Sequence, residues 1–139
     1  MKSIENIKTI VVDASTILAV LFCEPERDII ISLTKNCNLI SPCSLPFEIG
    51  NAISSGFKKG NNRLSFKVGI QVIHNFLKME IALENVDFER ALEISYGNNI
   101  YAYDAYMIEL AVRKNCSLFT LDKQMKMYAS KLNVELMEI

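Results

Sequence analysis

Only one histidine, three prolines and five glycines occur among the 139 residues, and each scarcity excludes something. A lone His74 cannot supply the imidazole set of a zinc enzyme. No G-x-x-x-x-G-K-[ST] run is present, so the chain has no P-loop. Without Pro/Gly-rich linkers, repeats or low-complexity tracts, residues 1–139 read as one domain. The four cysteines, Cys23, Cys37, Cys43 and Cys116, form no C-x-x-C pair, which argues against a zinc or redox motif and for buried free thiols. No apolar run approaches the roughly 20 residues of a membrane span. Residues 1–8 mix charged and apolar side chains and lack a signal-peptide core. A soluble cytoplasmic protein is the expectation. Formal net charge is −1, so overall electrostatics do not announce a nucleic-acid binder.

Half of the residues are hydrophobic, enough for a core without staples. Residues 8–13 read as a short buried strand, followed by a helix through Phe22 that Ser15 can cap. Pro25 suits the first turn of a second helix running to about Lys35. Residues 38–41 form a second strand, stopped by Pro42. A helix starting at Ser44 and Pro46 carries Leu45, Ile49, Ala52, Ile53 and Phe57, and the tract 58–62, with Gly60, ends it. Residues 65–79 give a helix whose apolar face holds Phe66, Ile70, Ile73 and Leu77. With the preceding helix it is expected to form a protruding hairpin. Residues 80–83 are a weak strand, and Asp87 caps a helix through Tyr96 that residues 97–99 terminate. Helix 103–115, strand 117–121, helix 123–131 and a last strand 134–137 complete the chain. Strands alternating with helices indicate a parallel sheet covered on both faces. The expectation is an α/β fold in three layers, α/β/α, around a mainly parallel sheet of four to five strands.

Asp13 ends the apolar run Thr9-Ile10-Val11-Val12 and precedes a helix start. Asp122 repeats that arrangement after Ser117-Leu118-Phe119-Thr120-Leu121. In an open α/β sheet this is the carboxyl edge, where ligands bind. Two further acids fit the same place. Asp104 lies in the first turn of its helix on the stripe of Met107, Ile108 and Ala111. Glu48 falls between Leu45 and Ala52 on one helical face. An inward carboxylate needs a cation, a donor or a proton. A structural hydrogen-bond role stays open for Glu48 alone. The combination of two strand-end aspartates and two core-side helix acids favours a hard divalent cation, Mg²⁺ or Mn²⁺.

The segments Ile10-Val11-Val12-Asp13-Ala14-Ser15, Leu45-Pro46-Phe47-Glu48-Ile49-Gly50-Asn51-Ala52, Tyr103-Asp104-Ala105-Tyr106-Met107-Ile108-Glu109-Leu110-Ala111 and Phe119-Thr120-Leu121-Asp122-Lys123 occur in that order. Together they resemble the motif blocks of PIN-domain ribonucleases, particularly VapC-type toxins of toxin–antitoxin pairs. The resemblance covers essentially the whole chain. It implies a PIN-like fold, and Asp13, Glu48, Asp104 and Asp122 as catalytic and metal-holding acids. Ser15 and Thr120 match hydroxyl positions that steady a carboxylate or a water. Thr120 would share a strand face with Asp122, and Ser15 can equally be a helix cap. Asn51, one turn beyond Glu48, could touch that carboxylate or a phosphate. The implied activity is Mg²⁺- or Mn²⁺-dependent hydrolysis of RNA phosphodiesters. The implied partners are RNA, a cognate antitoxin lying across the acidic groove, and a second copy in a homodimer.

Phosphate contacts would fall to Lys58, Lys59, Arg63, Lys67 or Lys123. Tyr101, Tyr103 and Tyr106 crowd Asp104 and suit either base stacking or packing. His74 is expected to be a partly buried packing or interface residue. A dehalogenase-type phosphatase would need an acid where Ser15 stands. A receiver domain would need a lysine that residues 134–137 lack. The remaining alternative is a non-catalytic PIN-like module binding RNA or protein.

Overall fold

The computed structural model describes residues 7–61 and 63–139. Residues 1–6 of the N-terminal segment and Asn62 of the helix-terminating tract lie outside the described residues. The elements run β1 (Thr9–Val12), α1 (Ala14–Leu21), α2 (Arg27–Thr34), β2 (Asn38–Pro42), α3 (Leu45–Phe57), α4 (Phe66–Leu77), β3 (Ile81–Glu84), α5 (Phe88–Asn98), α6 (Ala102–Lys114), β4 (Ser117–Phe119) and α7 (Lys123–Lys131). All strand pairs are parallel, in the order β3-β2-β1-β4. The expected three-layer α/β/α architecture is the observed one. No helix among the described residues is long and apolar enough to cross a membrane.

Successive β1 side chains alternate between two cores, as the pleat dictates. Ile10 and Val12 join Ile17, Ile30, Leu45, Ile49, Ile53, Val72, Phe76 and Phe119 under α1–α4. Val11 joins Ile40, Leu118 and the buried faces of α5, α6 and α7. From β1 the chain moves one way, to β2 and then β3. The α5–α6 pair then returns it across the opposite face to β4, on β1's other side. The carboxyl ends of β1 and β4 therefore flank the point where strand order reverses, the ligand crevice of such sheets.

Several local expectations need correction. The segment 134–137 makes only a single bridge, Leu118 to Leu136, although Leu118 N donates to Glu135 O and Met137 N to Leu118 O. It lines the edge of a four-stranded sheet without becoming a fifth strand. Pro25 precedes α2 in a turn, since the helix starts at Arg27. The α4 stripe also turns out differently. Gly69, Val72 and Phe76 are buried, while Phe66 is 73% and Leu77 68% exposed. Apolar residues surround most of α4, so periodicity admits both stripes, and Gly69 decides between them. A Cβ there would stand 2.6 Å from the Phe57 ring and 3.0 Å from Ile53, so only glycine lets α3 approach this closely. The α3–α4 hairpin thus lies with one face in the core rather than protruding freely. His74 is exposed on α4. The cysteines are free but not buried: Cys23 and Cys43 are exposed, Cys37 and Cys116 half-buried.

Candidate active site

Asp13 follows β1 in extended conformation and caps α1, its carboxylate accepting from Thr16 N at 3.1 Å. Asp13 is therefore the cap residue, and Ser15 is not. The Ser15 hydroxyl instead donates to Asp13 Oδ1 at 2.7 Å and accepts from Leu121 N at 3.0 Å. Thr120 donates to the other oxygen, Oδ2. Three of the roughly four acceptor sites on this carboxylate are thus taken. Asp13 is also 5% exposed. Strand β4 ends at Phe119, so Thr120 does not share a strand face with Asp122. It turns inward to Asp13, and its oxygen accepts from Asp122 N at 3.1 Å.

Asp122 caps α7 through Oδ1, which accepts from Gln124 N at 2.8 Å and Met125 N at 3.2 Å, and it is exposed. Glu48 lies in the first turn of α3 and Asp104 in the first turn of α6, both half-buried. Oε2 of Glu48 accepts from Ser44 at 3.2 Å. Asn51 makes no hydrogen bond to Glu48 among the described residues. It is exposed and shares with Glu48 a groove of about 510 Å³, lined also by Ala14, Phe47, Ala52, Ser55, Lys59 and Tyr103.

Electrostatics tie the four acids together. Burial pushes Asp13 above the usual carboxylate range, against the pull of its hydrogen bonds. Glu48 is pushed up to about 7, by burial first and then by the charges of Asp13 and Asp104, with Ser44 opposing. Asp104 is raised by burial, then by Asp122 and Asp13. No Lys or Arg among the described residues forms an ion pair with any of the four. The acids are within Coulombic reach of one another, but among the described residues no three His, Cys, Asp or Glu side chains stand as a closed ligand set. An all-oxygen donor set of carboxylates and hydroxyls, lacking imidazole and thiolate, suits a hard divalent cation such as Mg²⁺ or Mn²⁺ better than zinc.

The raised carboxyls fix a pH dependence. Glu48 holds a proton in the folded chain that the unfolded chain releases from 4.5 upward. Its contribution to stability is complete below that value and lost as pH rises through about 7. In EDTA, the melting temperature is expected to fall between about pH 5 and pH 8, by an amount corresponding to about 2 kcal/mol after screening. Thermal scans at fixed ionic strength check it, and a melting temperature rising over that window would contradict it.

Sequence reasoning missed three polar supports. Thr16 donates to Phe119 O at 2.9 Å and Ser41 to Val12 O at 2.7 Å, and both are fully buried. They tie β4 and β2 to the end of β1 that carries Asp13. Ser44 is the third, through Glu48. A hydroxyl within an otherwise apolar strand end is the only signal the sequence offers for Ser41.

A family model described as PIN domain matches residues 10–131. No curated protein matches the sequence. Among solved structures, PAE2754 from Pyrobaculum aerophilum is similar at 19% identity and TM-score 0.69, over 88% of this chain and 84% of that one. VapC20 of Mycobacterium tuberculosis, a sarcin-ricin loop cleaving toxin, is similar at 12% identity and TM-score 0.62, over 85% of this chain and 93% of that one. VapBC2 from Rickettsia felis, solved with a DNA fragment from its promoter, is similar at 14% identity and TM-score 0.65, over 93% and 97%. At these identities the structures share the fold.

Proposed function

The chain belongs to the PIN-domain family, and from that premise we propose that it is a metal-dependent ribonuclease and the toxin of a toxin–antitoxin pair. One observation carries the reading: four electrostatically coupled acids face the reversal point of the sheet, and among the described residues no Lys or Arg is ion-paired with them. The likeness to VapC20 and VapBC2 supports the toxin assignment. The same reading includes a cognate antitoxin, a homodimer and a cytoplasmic location.

Bound Mg²⁺ or Mn²⁺ would supply Lewis acidity, acidifying a water and offsetting phosphate charge. Asp13, Asp104, Asp122 and Glu48 would hold it. Ser15 and Thr120 keep the Asp13 carboxylate in one orientation by donating to it from both sides, as partners behind metal ligands do. Glu48, held by the Ser44 hydroxyl, would bind the cation or help position the attacking water. The water oxygen would bond to phosphorus as the bond to the leaving sugar oxygen breaks. Among the described residues no Ser-His or Cys-His pair stands at this edge to support a covalent route.

Incubation with single-stranded RNA in Mg²⁺, with an EDTA control, tests the reading. Cleavage that stops in EDTA is the expected result. Retention of RNA without cleavage would replace it with a non-catalytic binding module.

A further inference from the structure

The strand that leads into Asp13 ends in a break that a side chain repairs. In the parallel β1–β2 ladder, Asn38 N donates to Lys8 O at 2.8 Å, and the register runs Thr9↔Asn38, Ile10↔Leu39 and Val11↔Ile40. Amides facing the same neighbour recur at every second residue of a strand. The amides of residues 38 and 40 therefore serve the carbonyls of residues 8 and 10. The next bond in the series would join the amide of residue 42 to Val12 O. Residue 42 is proline, which has no N–H to give. The register stops at Val11↔Ile40 for that reason. Val12 is fully buried, and a buried carbonyl without a donor is costly. The Ser41 hydroxyl takes the vacant role, donating to Val12 O at 2.7 Å.

Val12 O belongs to the same peptide group as the Asp13 N–H. That group is gripped from both neighbouring strands. Its carbonyl accepts from Ser41 on β2, and its N–H donates to Phe119 O on β4 at 3.3 Å. Thr16 donates to the same Phe119 O. Ser41 is itself fully buried, and its oxygen lies 3.9 Å from Met107 Sδ on α6, one turn beyond Asp104. After Pro42 the chain enters α3, which carries Glu48. One hydroxyl thus sits where the elements bearing Asp13, Asp104 and Glu48 meet. We propose that Ser41 is a positioning residue for the cation site: by clamping the Val12–Asp13 peptide it fixes the depth and angle at which Asp13 presents its carboxylate. The proposal rests on the metal-dependent reading above. Ser15 and Thr120 steady the carboxylate itself, whereas Ser41 steadies the backbone from which it hangs. A cation such as Mg²⁺, which demands near-ideal octahedral geometry, is sensitive to that placement.

The test reads Mn²⁺ binding to the full chain by calorimetry, without RNA. Ser41→Ala is expected to weaken it about tenfold, as losing a partner behind a metal ligand does. In metal-free protein, hydrogen exchange at the Asp13 amide should quicken. Pro42→Ala returns the missing N–H. In the Ser41→Ala/Pro42→Ala double variant a backbone donor is again available to Val12 O, so Mn²⁺ affinity and amide protection should both recover. A space-filling Ser41 would not be rescued in this way. Ser41→Cys, whose thiol donates weakly, should fall between wild type and Ser41→Ala, and replaces the latter should it fail to fold. The Mg²⁺ concentration for half-maximal RNA cleavage should rise with the Mn²⁺ dissociation constant, while the rate at saturating Mg²⁺ approaches wild type. A lower melting temperature with unchanged Mn²⁺ affinity would make Ser41 a stability residue only and overturn the proposal. A double variant that binds as weakly as Ser41→Ala would overturn it too. Mn²⁺ binding and cleavage that ignore Ser41→Ala sink only the positioning role. Wild-type protein that binds no Mn²⁺ sinks the metal-dependent reading and the proposal with it.

Discussion

Asp13→Asn protein is expected to fold, to melt higher than wild type in EDTA above neutral pH, and to lose RNA cleavage by a factor on the order of 10² to 10³. The three results share one cause. Asp13 is almost fully buried, and burial disfavours its charge. Asparagine keeps the capping oxygen toward Thr16 N, where Asn caps as well as Asp. It removes a charge that repels both Glu48 and Asp104. Stability should therefore rise in the metal-free state, where the carboxylate is a liability. Losing a partner behind a metal ligand typically costs 10- to 100-fold. Losing the charged oxygen should exceed the upper end of that range. Single-turnover cleavage over a Mg²⁺ titration reads the loss, and excess Mg²⁺ should stabilise wild type more than the variant. Cleavage by the variant within a few-fold of wild type at limiting Mg²⁺ would remove Asp13 from the centre of the reading.

The two predictions that oppose each other in sign, lower activity and higher stability, distinguish a functional acid from a structural one. A structural carboxylate in a hydrogen-bond network stabilises, and its removal lowers the melting temperature. Ser15, Thr120 and Thr16 give Asp13 enough donors to make that alternative concrete. What tips the balance is desolvation, the leading influence on the carboxyl, which outweighs all the hydrogen bonds together.

Much of this is legible in the sequence alone. The strand–acid–helix pattern at Asp13 and Asp122 is local, so it survives in the sequence. The placement of Glu48 and Asp104 on inward stripes follows from helical spacing. Legibility failed where a choice depended on a distant neighbour. The α4 stripe is one case, because Gly69 matters only through Phe57 and Ile53 on α3. Thr120 is another: two residues before Asp122 it reads as a same-face neighbour, but the strand stops at Phe119, and the hydroxyl turns to an aspartate 107 positions away. The last segment alternates well enough for a strand, yet it finds a single bridge beside Leu118. Register against a partner is not written in one strand's own pattern.

Glu109 is the acid whose role spacing could not reveal, and it carries the largest stability prediction. It is 1% exposed on α6, between buried Ile108 and Leu110. Arg113, one turn on, donates Nε to Oε1 at 2.6 Å and Nη2 to Oε2 at 3.4 Å, and Nη2 also reaches Asn85 O at 2.7 Å. Asp87 N adds a longer bond at 3.4 Å. The pair clasps the end of α6 to the turn between β3 and α5. Arg113→Met would strand a buried carboxylate and should cost about 3–5 kcal/mol, lowering the melting temperature by roughly 10 °C or more. A Glu109→Leu/Arg113→Met double variant should recover to within about 1 kcal/mol of wild type, because the burial penalty leaves together with the bond that offset it. Chemical denaturation of the two variants decides it, and a loss below about 1 kcal/mol in Arg113→Met would mean that water already screens Glu109. Asp104 sits at the opposite end of the same helix, in its first turn. Cleavage per folded molecule should therefore stay at the wild-type level in both variants, which separates the clasp that holds α6 from the acid that α6 presents.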